Sequence, residues 1–173
     1  CKSSNELANF WNVVAYLMQD GQIFKDSDFK IRYVSRFKCD TTNVIEWSSA
    51  RPVLLLRKNR LFMLYKRNGK QVGDITLPAE TLAYYLENSK EYIGLKRSVR
   101  FKNIIDGRHE TTVEKDEWGN DKLKTTDSVD RAYCFDYEMV RDNYGINLEV
   151  VASGVEDDLE EPRPEPKQQI IPY

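Results

Sequence analysis

The spacing of apolar residues changes from helical to extended between residues 18 and 29, and this change constrains the fold more than any other feature. Upstream, apolar side chains lie on one helical face, namely Leu7, Phe10, Trp11, Val14, Leu17 and Met18. Downstream, in residues 29–38, apolar side chains alternate with Lys and Arg, which is the two-residue period of a strand. With Gly21 ending the helix, the chain is predicted to combine helices with a sheet.

Two dipeptides predict tight turns between antiparallel strands. Asn68-Gly69 and Asp106-Gly107 suit a type I′ turn, because both central residues of that turn need a positive φ. The first of them predicts an antiparallel meander over residues 52–76.

The later segments extend this pattern. They predict a helix from Pro78 to Asn88, a strand at Leu95–Ile105, an exposed hairpin or loop over residues 108–127, a strand at Arg131–Asp136, a helix at Tyr137–Tyr144 closed by Gly145, and a strand at Ile146–Val151. The expected fold class is α+β, a mostly antiparallel sheet of hairpins with the N-terminal helix and a second helix packed on one face. Residues 1–152 should form a single domain, and residues 153–173 a flexible, acidic, Pro-rich tail.

Charge is segregated along the chain, although the net charge is only −2. Residues 21–108 carry 18 Lys or Arg against 9 Asp or Glu, whereas residues 109–173 carry 7 against 17. Asymmetry of this size favours a site for a polyanion, an acidic interaction tail, or both.

The sequence contains no catalytic or cofactor motif. It lacks a glycine-rich phosphate loop, a dinucleotide-binding turn and a nucleophile elbow. The single histidine, His109, lies in a polar segment, where a solvated side chain is expected. A zinc site would need Cys1, Cys39, Cys134 and His109 to converge without a Cys-x-x-Cys pair. We therefore expect a noncatalytic chain without a metal or another cofactor.

Cysteine usage and hydropathy bear on the cellular compartment. Three distant cysteines do not form the paired framework of a secreted protein, which favours a reducing, cytoplasmic location. No run approaches the ~18 apolar residues of a membrane helix, so no membrane contact is expected. The alternative left open by Cys1 is a lipid-modified N-terminus, which would make the chain a surface lipoprotein.

Cations that alternate along two predicted strands form the candidate nucleic-acid site. Rows of Lys and Arg can contact successive phosphates, and nearby tyrosines can stack on bases. The candidate phosphate contacts are Lys30, Arg32, Arg36, Lys38, Lys96, Arg100 and Lys102, and the candidate stacking residues are Tyr33, Tyr65 and Tyr92. The competing interpretation is a solvated face, because antiparallel sheets usually turn Lys and Arg toward water.

The C-terminal segment offers a separate candidate contact. Residues 156–165 are acidic and Pro-rich, and the chain ends in Ile171, Pro172 and Tyr173. This ending resembles the C-terminal tips of bacterial single-stranded-DNA-binding proteins, which implies a peptide ligand for a partner protein. A simple disordered end is the competing interpretation.

Three blocks of sequence carry a wider resemblance. They are Phe10-Trp11-Asn12-Val13-Val14 running into Asp28-Phe29-Lys30-Ile31, then Tyr85-Leu86-Glu87-Asn88-Ser89 with residues 92–101, and finally Tyr133-Cys134-Phe135-Asp136-Tyr137 followed by Tyr144-Gly145-Ile146. Over roughly residues 5–150 they resemble the C-terminal region of large primase–helicase-type replication proteins encoded by phages and mobile elements of gut bacteria. The resemblance implies an accessory domain that grips nucleic acid or docks a replication partner, with the ATPase or primase chemistry upstream in a longer chain.

The leading hypothesis is therefore a noncatalytic accessory domain of a DNA replication or mobile-element protein. It would bind DNA, single- or double-stranded, through the basic strands, and a replication protein through the C-terminal tip. The alternative is a protein-interaction or structural domain, whose basic strands are solvent faces or dock the acidic tail.

Overall fold

A computed structural model describes residues 2–73 and 76–154, and side chains from residue 5 onward. The fold is α+β with a mostly antiparallel sheet and an N-terminal helix, as predicted. The helices are α1 Lys2–Gln19, α2 Lys58–Asn68, α3 Ala79–Glu87 and α4 Tyr137–Tyr144, with 3-10 turns at Gly69–Gln71 and Leu148–Val150. The strands are β1 Phe29–Phe37, β2 Ile45–Arg57, β3 Tyr92–Lys102, β4 Ile104–Ile105, β5 Arg108–His109, β6 Thr111–Lys115, β7 Asp121–Thr125 and β8 Asp127–Asp136.

The described chain divides into two compact units. The larger unit runs to Phe101 and resumes from Val129 to Ser153, and it contains all four helices. Its sheet has the order β1-β2-β8-β3, with β1 antiparallel to β2 and β2 antiparallel to β8. The two strands that carry the candidate phosphate contacts are therefore the two edges of this sheet.

The helices cover one face of the sheet and enclose the main core. The apolar stripe of α1 is buried as predicted, and Trp11 lies edge-on to Phe135 of β8 with ring centroids 5.2 Å apart. Phe29 of β1 and Leu54 of β2 belong to the same cluster. Burial of such aromatic and aliphatic surface is the main favourable term in folding, so this face holds the larger unit together.

The other face of the sheet has its own core, which the sequence did not predict. Val53, Leu55, Ala132 and Cys134 alternate with the residues of the main core and pack with Phe101 of β3. The partner of β1 shifts from Arg51 to Glu46 between Val34 and Arg36, an irregularity that bends a β-hairpin. The far end of the β1–β2 hairpin curls over this face and contributes Phe37 and Trp47.

The predicted meander over residues 52–76 is wrong, because a helix follows β2 directly. Leu61, Leu64 and Tyr65 recur at helical spacing and are buried in the main core. Gly69 has φ −60°, so Asn68-Gly69 continues the helical conformation instead of forming a type I′ turn. Asn68 is buried and donates from Nδ2 to the Leu64 carbonyl at 2.9 Å. Tertiary burial of the helical stripe outweighed the local turn preference.

The predicted strand at Ile146–Val151 is also wrong. Residues Leu148–Val150 form a 3-10 turn whose N-terminal N–H at Glu149 is capped by Asn147 at 3.0 Å. Tyr137 holds this turn in place, since its hydroxyl accepts the Leu148 N–H at 2.9 Å. The cap from Asn147 and the burial of Leu148 outweigh the strand preference of residues 146–151.

Several predicted boundaries are confirmed. The helix after Pro78 ends before Asn88, and Gly145 closes α4 in a left-handed conformation with φ +67°. Asp106 and Gly107 both have positive φ in the β4–β5 turn, as a type I′ turn requires.

The smaller unit consists of residues 102–128 with Gly154, and it contains two hairpins. Asn103 organises it, because its backbone N–H and its side-chain Nδ2 both donate to Thr126, at 3.0 and 3.1 Å. The β6–β7 hairpin is the exposed hairpin predicted for residues 108–127. Residues 155–173, with almost all of the predicted tail, lie outside the described residues.

A buried carboxylate makes the stability of the larger unit depend on pH. Asp28 is 3% exposed, accepts the Phe24 N–H at 2.7 Å and pairs with Arg60 Nε at 3.0 Å. Burial raises the pKa of this carboxyl above its ordinary value, because desolvation of the charge exceeds the stabilisation from Phe24 and Arg60.

The sign of the pH effect follows from this raised pKa. The folded state binds the Asp28 proton more tightly than the unfolded state, so the stabilisation is complete below the unfolded pKa and is lost as pH rises through the folded pKa. We expect wild-type protein to lose stability relative to Asp28→Asn over a pH range that begins at about 4, the ordinary pKa of an Asp carboxyl, and extends upward. Urea unfolding of both proteins across this range measures the difference, and a difference that is constant or grows in favour of wild type with rising pH contradicts the prediction.

Candidate nucleic-acid interface

The segment after β1 brings the two basic edge strands of the larger unit together. The Asp40 N–H donates to the Leu95 carbonyl of β3 at 2.8 Å, and the Leu95 N–H donates to Thr41 Oγ1 at 3.0 Å. The Arg97 N–H also donates to an Asp40 carboxylate oxygen, at 2.5 Å. We call this contact between residues 38–41 and β3 the seam.

Cations gather at the seam. Lys96 donates from Nζ to the Lys38 carbonyl at 3.1 Å, and its ammonium lies 5.3 Å from the ring centroid of Phe37. The side chains of Lys38 and Arg97 are exposed beside it. Two predicted phosphate contacts, Lys38 and Lys96, are thus neighbours in space, although Lys38 follows β1 and Lys96 belongs to β3 at the opposite edge of the sheet.

A second group of cations surrounds Phe101, at the C-terminal part of β3. Lys30 Nζ lies 5.8 Å and the Arg57 guanidinium 5.5 Å from the Phe101 ring centroid. Arg57 is also paired with Asp130 at 2.7 Å, which neutralises part of this charge. Lys30 is half-buried, so it covers the second core as well as carrying charge.

The remaining predicted phosphate contacts occupy other positions on β1, on β3 and in the smaller unit. Arg36 pairs with Glu46 at 2.5 Å, and both side chains are more than 60% exposed. Arg32 and Arg100 are exposed on β1 and β3. Lys102 belongs to the smaller unit, where its Nζ donates to Thr125 Oγ1 at 3.3 Å. The structure therefore brings only some of the predicted phosphate contacts close to one another.

The tyrosines expected to stack on bases are mostly unsuitable. Tyr65 is 2% exposed in the main core, and Tyr92 lies edge-on to Tyr133 at 5.2 Å within the aromatic cluster. Tyr33 of β1 is 61% exposed, as a residue that stacks on bases must be. Its hydroxyl donates to a Glu149 carboxylate oxygen.

Arg97 was missed by the sequence reasoning. The strict alternation assumed for the predicted strand assigned Lys96, Ser98 and Arg100 to one face and left Arg97 out. The signal that could have found it is the Lys96-Arg97 doublet two residues after Gly94, since a glycine inside a strand often marks an irregular position.

His109 is buried, at 2% exposed, so the expected solvated side chain is wrong. His109 is the second residue of β5 and lies opposite Ile104 in the β4–β5 hairpin. Across residues 2–73 and 76–154, no group of three or more His, Cys, Asp or Glu side chains is arranged to hold a metal ion.

Two further observations concern membranes and protein partners. None of the described helices is long and apolar enough to cross a membrane. The predicted partner contacts Ile171, Pro172 and Tyr173 lie outside the described residues, as does Cys1.

The exposed tip of the β6–β7 hairpin is rigidly built. Trp118 is 77% exposed there, and one Asp116 carboxylate oxygen accepts the N–H groups of Trp118 and Asn120 at 2.9 and 2.8 Å. Gly119 supplies the positive φ, +82°, that the turn requires.

The chain was compared with known proteins at the level of families, sequences and structures. No protein-family model matches it, and neither a curated protein nor a solved structure does.

Proposed function

We propose that this chain is a noncatalytic accessory module that binds the phosphate backbone of DNA at the seam. The observation that carries the proposal is that the hydrogen bonds between residues 38–41 and β3 place the main chain of Lys38 next to Lys96 and Arg97. Phosphate contacts supply most of nonspecific DNA affinity, and a cluster on a rigid sheet edge loses little conformational freedom when it binds.

The surrounding charges are consistent with a phosphate site. Asp40 is the acidic residue of the seam, and one of its carboxylate oxygens accepts the Arg97 backbone N–H. Two further cations lie on the neighbouring strands, Lys30 on β1 and Arg100 on β3. On the strength of the sequence resemblance, we place this module in a replication protein of a phage or mobile element, with the Ile-Pro-Tyr ending as the contact for a replication partner.

Fluorescence anisotropy with single- and double-stranded oligonucleotides tests the proposal. Binding should be detectable at about 50 mM NaCl and fall steeply toward physiological salt. We expect Lys38→Gln/Arg97→Gln to weaken binding about tenfold or more and to reduce the slope of log affinity against log salt by about 2, because two phosphate contacts are removed.

A matched control removes the same charge elsewhere. Lys66 and Lys70 are exposed at the end of α2 and in the following 3-10 turn. The double variant Lys66→Gln/Lys70→Gln should leave both the affinity and the salt slope nearly unchanged. Absence of binding by wild type at low salt, or an equal loss in both double variants, would overturn the proposal.

The second candidate function is a protein-interaction module without nucleic-acid binding. The exposed, rigidly held Trp118 favours it, since tryptophan on a fixed turn is typical of an anchor that enters a pocket on a partner. The acidic neighbours Asp116 and Glu117 make this tip unfavourable for phosphate and suited to a cationic protein surface. This candidate predicts no salt-dependent oligonucleotide binding in the assay above.

A further inference from the structure

Two buried thiols meet in the second core of the larger unit. Cys39 follows β1 directly, and Cys134 lies in β8 opposite Leu55 of β2. Both are free cysteines, 1% and 0% exposed. Both side chains belong to the same buried cluster of the second core, although the residues are far apart in the chain.

The backbone around the pair is shaped to bring Cys39 against the sheet. A Cβ added at Gly94 would lie 2.9 Å from Cys39 Cβ and 3.0 Å from its Sγ, so only glycine on β3 leaves room for this cysteine. The seam hydrogen bonds of Asp40 and Thr41 fix the residues that follow it. The position of Cys39 beside Cys134 is therefore set by the fold on both sides.

The electrostatic surroundings make the two thiols unequal. The hydrogen bond from Cys134 and the charge of Lys96 lower the pKa of Cys39, whereas the same bond and burial raise the pKa of Cys134. A lowered thiol pKa favours the thiolate, which is the nucleophile in thiol oxidation and disulfide formation.

We propose that Cys39 and Cys134 are a redox-modifiable pair that forms an intramolecular disulfide. With a peroxide as the oxidant, Cys39 thiolate attacks one peroxide oxygen, the O–O bond breaks, and water leaves after it takes up protons. Cys134 sulfur then attacks the resulting sulfenic acid, the S–S bond forms, and a second water leaves. Overall, two thiols and one hydrogen peroxide give one disulfide and two waters.

A peroxide can reach the two sulfur atoms only when the seam opens, because both sulfurs are buried in the folded state. Residues 38–41 are held to β3 by the few hydrogen bonds described above, so local opening of this segment breaks far fewer contacts than unfolding of the sheet. Once formed, the disulfide would tie the end of β1 to β8 and keep the curled hairpin closed over the second core. The same bond would fix the main chain between Lys38 and Asp40.

The experiment uses a Cys1→Ser background of the full chain, so that only the two buried thiols report. After incubation with hydrogen peroxide and removal of excess, intact mass should fall by about 2 Da, and both thiols should disappear from a titration in denaturant. The thermal midpoint of the oxidised protein should rise by about 10 °C and return on reduction, because the bond closes a loop of roughly 100 residues.

Controls separate a disulfide from other oxidation. Cys39→Ser and Cys134→Ala should each abolish the 2 Da change, and peptide mapping of oxidised wild type identifies the linkage even if a variant fails to fold. A mass gain of about 16 Da without a crosslink, two thiols that stay reactive in denaturant, or only intermolecular crosslinks would overturn the proposal. None of these readouts depends on nucleic-acid binding.

Discussion

Replacement of Phe135 by alanine is expected to lower the free energy of unfolding by about 3–5 kcal/mol. Phe135 is completely buried on β8, and its ring lies 5.2 Å from Trp11 and 5.6 Å from Tyr92. It therefore joins α1 to two strands of the sheet. Truncation removes both the transfer free energy of the ring and the aromatic contacts, and it leaves a cavity that close-packed neighbours fill only in part.

Urea unfolding followed by circular dichroism measures this loss. Phe135→Leu should cost less than Phe135→Ala, because leucine retains most of the buried apolar surface. Trp118→Ala is the control for loss of an aromatic side chain, and it should change stability by no more than about 0.5 kcal/mol because Trp118 is 77% exposed. Similar losses for Phe135→Ala and Trp118→Ala would contradict the assignment of the main core.

Replacement of Gly94 by alanine is expected to destabilise the larger unit by about 1–3 kcal/mol and to disturb the seam. The added Cβ would lie 2.9 Å from Cys39 Cβ and 3.0 Å from Thr41 Oγ1. Neither neighbour can retreat easily, because Cys39 is buried against the sheet and Thr41 accepts the Leu95 N–H. The segment carrying Lys38 must therefore move away from β3.

Two measurements on the Gly94→Ala variant test the seam. Its stability is measured by urea unfolding, and its oligonucleotide affinity should fall severalfold as Lys38 and Arg97 lose their relative position. Ser98→Ala on the same strand is the control, since Ser98 is exposed and its change should cost no more than about 0.5 kcal/mol. If Gly94→Ala is as stable as Ser98→Ala, the close approach of Cys39 to β3 is wrong.

Elements whose signals were local and mutually consistent were predicted well. The stripe of α1, the Asp106-Gly107 turn and the helix closed by Gly145 each combined a periodic pattern with a matching boundary residue. The errors arose where a local signal competed with burial. Asn68-Gly69 favoured a turn, but the helical face of Leu61 and Leu64 had a core to enter.

The candidate site was predictable in its residue types and not in its geometry. Alternation of cations with apolar residues identified Lys38 and Lys96, but nothing in the sequence indicates that residues 38–41 bond to β3. Tyr65 and Tyr92 were indistinguishable in sequence from exposed tyrosines, because tyrosine serves both cores and surfaces. The burial of His109 and the meeting of Cys39 and Cys134 could not be anticipated either, because both depend on contacts between segments that are distant in the chain.

The sequence by itself determined the α+β class, the positions of α1, α3 and α4, and the segregation of charge, because these depend on periodicity, capping and composition within short segments. Only the tertiary structure decided that both sheet faces are buried, that a curled hairpin joins the two basic edges, and that two distant thiols meet. The physical reason is that these features rest on strand order and on contacts between residues far apart in the chain, whose free energy is realised only when the core closes around them.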